Sequence, residues 1–298
     1  MGKMVGMAGS ERNLKQAGLG VTGICRAGAG SVLCLMLAWP GTAVYAADVP
    51  QQPSSATQIV AEMLANESAA SQHKDHYAYL SKERSDRTGG HLWTEKVVET
   101  NEGKVRMLTE QDGQRLSPER EAAERGRLAA IVADPDGFQK RALALNNDEA
   151  HARQMLSLLP KAFLLGDVRQ EGGYLRIDFR PNPDYEAQSM EERVLHGMTG
   201  TMLIEPKAMR LHHIDGRLPQ DVSIGFGLLA TIHAGSSFAT TRDRLGQPDW
   251  KTTLLDTDVN GKAIFFKAIA KKEHAEHSDF VRVPDDLSVA RAVEMVEQ

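Results

Sequence analysis

Apolar residues recur at helical spacing over residues 57–70, where Ile59, Val60, Met63 and Leu64 fall on one stripe, and this predicts an amphipathic first helix. Three alternating segments follow, at 77–84, 92–99 and 104–110. The turn formers Thr88-Gly89-Gly90 and Asn101-Glu102-Gly103 separate them, so the pattern predicts a meander of antiparallel hairpins. The period then changes. Ser117-Pro118 supplies an N-cap and first-position pair for a charged helix to residue 132, and Asp134-Pro135 repeats the device for a second helix ending before Pro160. The apolar positions of that second helix include Phe138, Ala142, Leu145, Met155, Leu156, Leu158 and Leu159. This helical insertion, about 117–159, interrupts a strand-rich chain and is expected to pack across a sheet or form a lid.

From 164 to 283 strand signals return, at 174–179, 194–204, 209–214, 222–226, 238–242, 250–259 and 262–270. Asp215-Gly216 and Asn260-Gly261 are hairpin signals, and the prolines of Arg180-Pro181-Asn182-Pro183-Asp184 require an irregular connection. A last helix over 288–296 closes the chain. The expected class is α+β: one curved antiparallel sheet with helices on one side, in which Gly197, Gly200, Gly225 and Gly227 bend the strands.

The first 46 residues read as a secretory signal peptide. Lys3, Arg12, Lys15 and Arg26 make a basic start, residues 27–38 an apolar run, and Val44-Tyr45-Ala46 a cleavage site. The run is too short for a membrane span, which needs about 18 apolar residues. The expected location is therefore the periplasm, with a mature domain over 47–298. Both cysteines, Cys25 and Cys34, lie in the leader, so the mature chain has no thiol or disulfide chemistry. Four basic residues and one acid leave with the leader, which takes the formal net charge from -5 to -8. So acidic a chain is a poor nucleic-acid ligand.

The sequence holds no Gly-x-Ser-x-Gly elbow, His-Glu-x-x-His pair or phosphate-cradling glycine loop. The reading is a binding protein, not an enzyme, with no catalytic residue, cofactor or metal. His212-His213 would point to opposite faces of a strand, and His274-x-x-His277 reads as a solvated polar turn at a strand end. Apolar side chains in the second half are more informative. Met198, Met202 and Ile204 recur at period two, and Ile264-Phe265-Phe266 projects from both faces of its strand. Either the sheet is covered on both faces or its concave face holds an apolar ligand, for which pliable methionines are suited. Met198, Met202, Ile204, Phe226, Phe238, Trp250 and Phe265 are the cavity candidates, each also readable as plain core.

The run Phe179-Arg180-Pro181-Asn182-Pro183 with Tyr185, then Arg193-Val194, Gly197-Met198-x-Gly200, Asp215-Gly216-Arg217-Leu218, Asp221-Val222, Gly225-Phe226-Gly227, Trp250 and Phe266-Lys267 resembles a group of exported bacterial proteins. These in turn resemble the LolA/LolB lipoprotein-carrier superfamily. The resemblance implies an unclosed β-barrel with a helical lid over an apolar cavity, and a lipid or lipoprotein acyl chain as ligand. The superfamily also includes a sensor domain of an envelope-stress regulator, so the alternative expectation is an envelope sensor or scaffold that binds another protein. A periplasmic hydrolase is a third expectation; it requires acids and a histidine converging in a polar cleft. The helices beginning at Thr57 and Ser117 are the two lid candidates.

Overall fold

The computed structural model describes residues 55–73, 75–224, 230–246, 249–263 and 267–298, with backbone alone at 144–152, 263 and 267–269. Helix α1 (Ala56–Ala70) starts at a capping box, in which Ser55 accepts from the Gln58 amide while the Gln58 side chain accepts from the Ser55 amide. The strands β1 (Tyr77–Arg84), β2 (Trp93–Glu99), β3 (Lys104–Gln111) and the two-residue β4 (Gln114–Arg115) form the expected meander.

Next come α2 (Pro118–Ala133) and α3 (Pro135–Ser157), capped by Ser117 and Asp134 and each opened by proline at the first position. The short α4 (Leu159–Ala162) leads into β5 (Phe163–Leu165), β6 (Arg169–Glu171) and β7 (Tyr174–Pro181). After α5 (Met190–His196) the chain continues through β8 (Thr199–Glu205), β9 (Arg210–Arg217), β10 (Val222–Ile224), β11 (Ala230–Ile232), β12 (Ser237–Arg244), β13 (Trp250–Ala263) and β14 (Lys267–Arg282), and ends in α6 (Val289–Glu297).

Among the described residues these strands join one antiparallel sheet, in the order β4-β3-β2-β1-β14-β13-β12-β9-β8-β7-β5, and its two edges do not pair with each other. The last strand therefore lies beside the first: β14 pairs along the length of β1, from Tyr77 opposite Arg282 to Arg84 opposite His274. The helical segment from α2 to α4 connects β4 at one edge to β5 at the other. It has to span the sheet to do so. At about 1.5 Å per residue, α3 alone is roughly 35 Å long.

Two apolar clusters hold helices to the sheet. Ile59, Val60 and Met63 of α1 pack on Ile177, Met202, Ile204 and Leu211 with Leu159 and Phe163. Leu128 and Ile131 of α2, Phe138 of α3 and Val289, Ala292, Val293 and Val296 of α6 pack on Val98, Val105 and Met107. Helix α2 also closes the open edge of β3. Glu124 accepts the Leu108 amide at 3.0 Å, and the Arg127 guanidinium donates to the Arg106 carbonyl, so side chains take the place of a missing strand.

Three sequence expectations are corrected. The strand expected over 194–204 is split, because Ser189 caps α5 by accepting from the Glu192 amide, Gly197 ends it, and β8 begins only at Thr199. Asp215-Gly216 and Asn260-Gly261 lie inside β9 and β13 and make no hairpins. Their glycines serve close approach: a Cβ on Gly216 would lie 2.5 Å from the Phe238 ring, and one on Gly261 2.5 Å from the Thr231 carbonyl, where β11 meets β13. His274 and His277 sit within β14, not on a polar turn.

Those two histidines meet opposite environments. His274 is half-exposed with Asp256 at 2.6 Å, and its hydrogen bond to that carboxylate raises its pKa above 6.5. His277 packs on the Tyr79 ring, its Nδ1 3.0 Å from the Thr252 carbonyl, and burial lowers its pKa below 6.5. A histidine NMR titration should therefore place the two midpoints on either side of 6.5, with His274 above. The sign follows from linkage: the raised His274 contributes stability below pH 6.5 that is lost as pH rises through its folded value. Coincident midpoints would contradict this assignment.

Candidate functional site

The structure places the sequence-derived cavity candidates in separate settings. Met202 and Ile204 are 0% exposed beneath α1. Met198 is buried in another cluster with Leu218, Ile224, Ala230 and Ile232, and half-buried Phe238 touches both groups. Trp250 is buried with the Arg210 guanidinium 6.0 Å from its ring centre. Phe226 and Phe265 lie outside the described residues.

A cavity lies elsewhere, between α2–α3 and the β1–β3 end of the sheet. Its volume is about 760 Å³, and a smaller pocket of about 260 Å³ adjoins it, sharing Arg87, Arg106 and Arg127 in its wall. Both volumes derive from a short stretch of β-sheet chemistry. On β1 the inward positions run Tyr77, Tyr79, Ser81, Glu83, so alternation carries a carboxylate to the buried face. Ser81 lies opposite Glu95 and Glu83 opposite Trp93, which makes Glu83 and Glu95 diagonal neighbours, both buried.

Two buried carboxylates side by side would repel unless compensated. Arg87 compensates them. The Ser85–Gly90 turn, fixed by Thr88 Oγ1 donating to the Ser85 carbonyl, folds its guanidinium back over the strands. It donates to Glu83 through Nε at 3.0 Å and Nη2 at 2.5 Å, and to Glu95 through Nη1 at 3.1 Å and Nη2 at 2.6 Å. Arg106 adds a bond from Nη1 to Glu95 at 3.2 Å. Burial raises the Glu83 pKa, but the hydrogen bonds from Arg87 and Ser85 outweigh it and hold the carboxyl below its ordinary value. Burial likewise opposes the charge on Arg87, and the two carboxylates outweigh it.

The larger cavity is amphipathic. Lys104 and Arg106 of β3, Arg127 of α2, Arg141 of α3 and Lys271 and Lys272 of β14 line it together with Ile131, Phe138 and Ala142. With Arg87 it has seven cationic side chains against Glu83, Asp86 and Glu273, in a chain whose overall charge is negative. Such a surface can bury apolar groups at one wall and draw an anion to the other.

A second charged cluster lies where β1 starts and β14 ends. The Tyr77 hydroxyl donates to Asp249, burial and that carboxylate push the phenol up to about 12, and Arg282 pairs with Asp75 at 2.6 Å. Asp75 is raised, first by its hydrogen bond with Asp249. The cluster fastens the two strands and lines neither cavity. Among the described residues no group of three or more His, Cys, Asp or Glu side chains is placed to hold a metal ion, and no helix is long and apolar enough to cross a membrane.

Sequence reasoning missed the arginine cluster. Its members come from a turn, a strand and a helix, so no spacing announces them. One usable signal existed: Glu83 continues the inward series Tyr77, Tyr79, Ser81, and an inward acid requires a cationic partner. Comparison of the chain with protein families, curated proteins and solved structures found no match.

Proposed function

We propose that this is a periplasmic, non-enzymatic carrier-like protein of LolA-like half-barrel architecture that binds a lipid, or the acyl chain of a lipoprotein, in the cleft between α2–α3 and the sheet. The observation that supports this most directly is the cleft itself. About 760 Å³ is within the usual range for small-molecule sites, and Ile131, Phe138 and Ala142 give it an apolar wall. The unclosed sheet and the helices that bridge its edges are consistent with the half-barrel reading.

The two lid candidates differ in what they cover. Helix α1 is held by three buried side chains, by the Glu67 ion pairs with Arg210 and Arg242, and by Asn66 donating to the Ala208 carbonyl at 3.2 Å. Moving it would expose the core around Met202. Helices α2 and α3 also bury three described side chains, Leu128, Ile131 and Phe138, but they wall the cleft and α1 does not, so they are the lid in this reading. Each acyl methylene buried is worth about 0.8 kcal/mol, so a twelve-carbon chain held at about 10 kcal/mol would leave slowly unless the helices moved.

Native mass spectrometry of the mature protein, isolated from a periplasmic fraction before and after organic extraction, tests the proposal. The expected result is an adduct of phospholipid or acyl mass that extraction removes and Phe138→Ser weakens. A bare protein mass that persists after added lipid would overturn it. The sensor or scaffold reading draws on the helical pair, where Val132 and Leu143 are exposed; it predicts a stable protein partner and no lipid adduct.

A further inference from the structure

A residue in the wall of the smaller pocket carries a donor that the protein itself leaves unanswered. Trp93 Nε1 is buried with no hydrogen-bond partner, and Trp93 lines the roughly 260 Å³ pocket together with Arg106 and Arg127. A buried N–H without an acceptor is costly and uncommon in folded proteins. Its neighbours offer further donors. Arg106 directs only Nη1 to a side-chain acceptor, Glu95 at 3.2 Å, and Arg127 uses Nε and Nη2 on Glu124 and the Arg106 carbonyl, which leaves Nη1. The carboxylates of the wall are already engaged: Glu95 by Arg87 and Arg106, Glu124 by Arg127 and the Leu108 amide. What remains open is a set of donors that these carboxylates do not take up.

We propose that this pocket is an oxyanion subsite, in which Trp93 Nε1–H and the guanidiniums of Arg106 and Arg127 bind the phosphate or carboxylate head of an amphiphile whose chain lies along Phe138 in the adjoining cleft. The proposal rests on the reading of that cleft as an acyl site and adds the chemistry of the headgroup. Guanidiniums are suited to it because their planar N–H pairs match the oxygens of a carboxylate or phosphate. Trp93 fixes the position, since its ring is already braced by the Arg87 guanidinium 5.3 Å from the ring centre. A single anionic head joined to a chain therefore selects among lipids by charge as well as by length.

Isothermal titration calorimetry of the mature protein with three probes tests this: dodecyl phosphate, uncharged dodecanol and inorganic phosphate. Dodecyl phosphate should bind at least tenfold more tightly than dodecanol, and inorganic phosphate should bind weakly at the same site in competition with it. Trp93→Phe, which keeps the ring, should reduce dodecyl phosphate affinity several-fold and leave dodecanol binding unchanged. Arg106→Gln should cost about tenfold, the weight of one charge-assisted hydrogen bond. Equal affinities for dodecyl phosphate and dodecanol would overturn the oxyanion subsite while the acyl site stands. Inorganic phosphate binding as tightly as dodecyl phosphate, and weakened by Trp93→Phe, would uphold the subsite and overturn the acyl site. Failure of all three probes to bind would overturn both.

Discussion

Glu67→Ala should lower the free energy of unfolding by about 3 kcal/mol, because breaking a mostly buried ion pair strands the charges left behind. Glu67 projects from α1 onto the sheet, where it accepts from Arg210 Nε at 2.7 Å, from Arg210 Nη2 at 3.2 Å and from the Leu211 amide at 3.1 Å, and also pairs with Arg242. Its removal leaves the Arg210 guanidinium and the Leu211 N–H without that acceptor beneath the helix, and Arg242 with only the Trp250 carbonyl at 3.4 Å. A urea titration should show the midpoint fall with little change in slope. A loss under about 1 kcal/mol would mean that α1 is held by its apolar stripe alone, and the case against α1 as a lid would weaken.

The same carboxylate makes the fold sensitive to acid. Burial raises the Glu67 pKa, and the Arg210 and Arg242 interactions overcome this and hold it below 4.5. A depressed carboxylate contributes stability that is complete above pH 4.5 and lost as pH falls through the folded value. Stability plotted against pH should therefore drop on the acid side for the wild-type chain. Glu67→Gln should start lower at neutral pH and drop less.

Gly200→Ala is expected to be comparably damaging, at about 3 kcal/mol, the upper part of the usual range for overpacking. Gly200 of β8 lies opposite Gly216 of β9, and the row continues to Phe179 on one side and Phe238 on the other. The two rings cover the space above the glycine pair. An added Cβ at Gly200 would overlap the Asp215 carbonyl and lie 2.6 Å from the Phe179 ring, so relief requires strands β8 and β9 to part. Gly126→Ala is the matched control. Nothing lies within 4 Å of a Cβ there, and the residue is inside α2, so alanine should stabilise by about 0.5–1 kcal/mol. Thermal unfolding of both variants should move the midpoint in opposite directions; a Gly200→Ala protein that melts with the wild type would refute the packing of this row.

Much of the architecture was legible wherever neighbouring residues decide the outcome. Ser117 and Asp134 each accept from a backbone amide three residues on, so those two helix starts were legible in side-chain chemistry; Ser55 and Ser288 cap α1 and α6 in the same way. The alternation Tyr77, Tyr79, Ser81 likewise placed β1 to the residue. Legibility failed where a distant partner overrode a local signal. Asp215-Gly216 carries hairpin chemistry, yet the Phe238 ring across the ladder needs the glycine inside a strand. Met202 and Ile204 share one face of their strand, but period two cannot say whether that face is closed by a ligand or by a helix about 140 residues away in sequence; Ile59, Val60 and Met63 pack on it.

The sequence by itself determined the α+β class and the order and approximate bounds of most of the longer elements, because capping, turn chemistry and hydrophobic period act over a few residues; the short β4, α4, β5, β6, α5 and β11 were not among the expected elements. Tertiary structure alone decided which strands are neighbours. Placing β14 against β1 brings together segments almost 200 residues apart, and it leaves α2–α3 to link the two open edges. The candidate site was decided at that level as well. Arg87, Arg106 and Arg127 are ordinary surface charges in sequence, and they become a cluster only because a turn and a strand bring Arg87 and Arg106 onto two buried carboxylates that need compensation, while α2 brings Arg127 onto the Arg106 carbonyl.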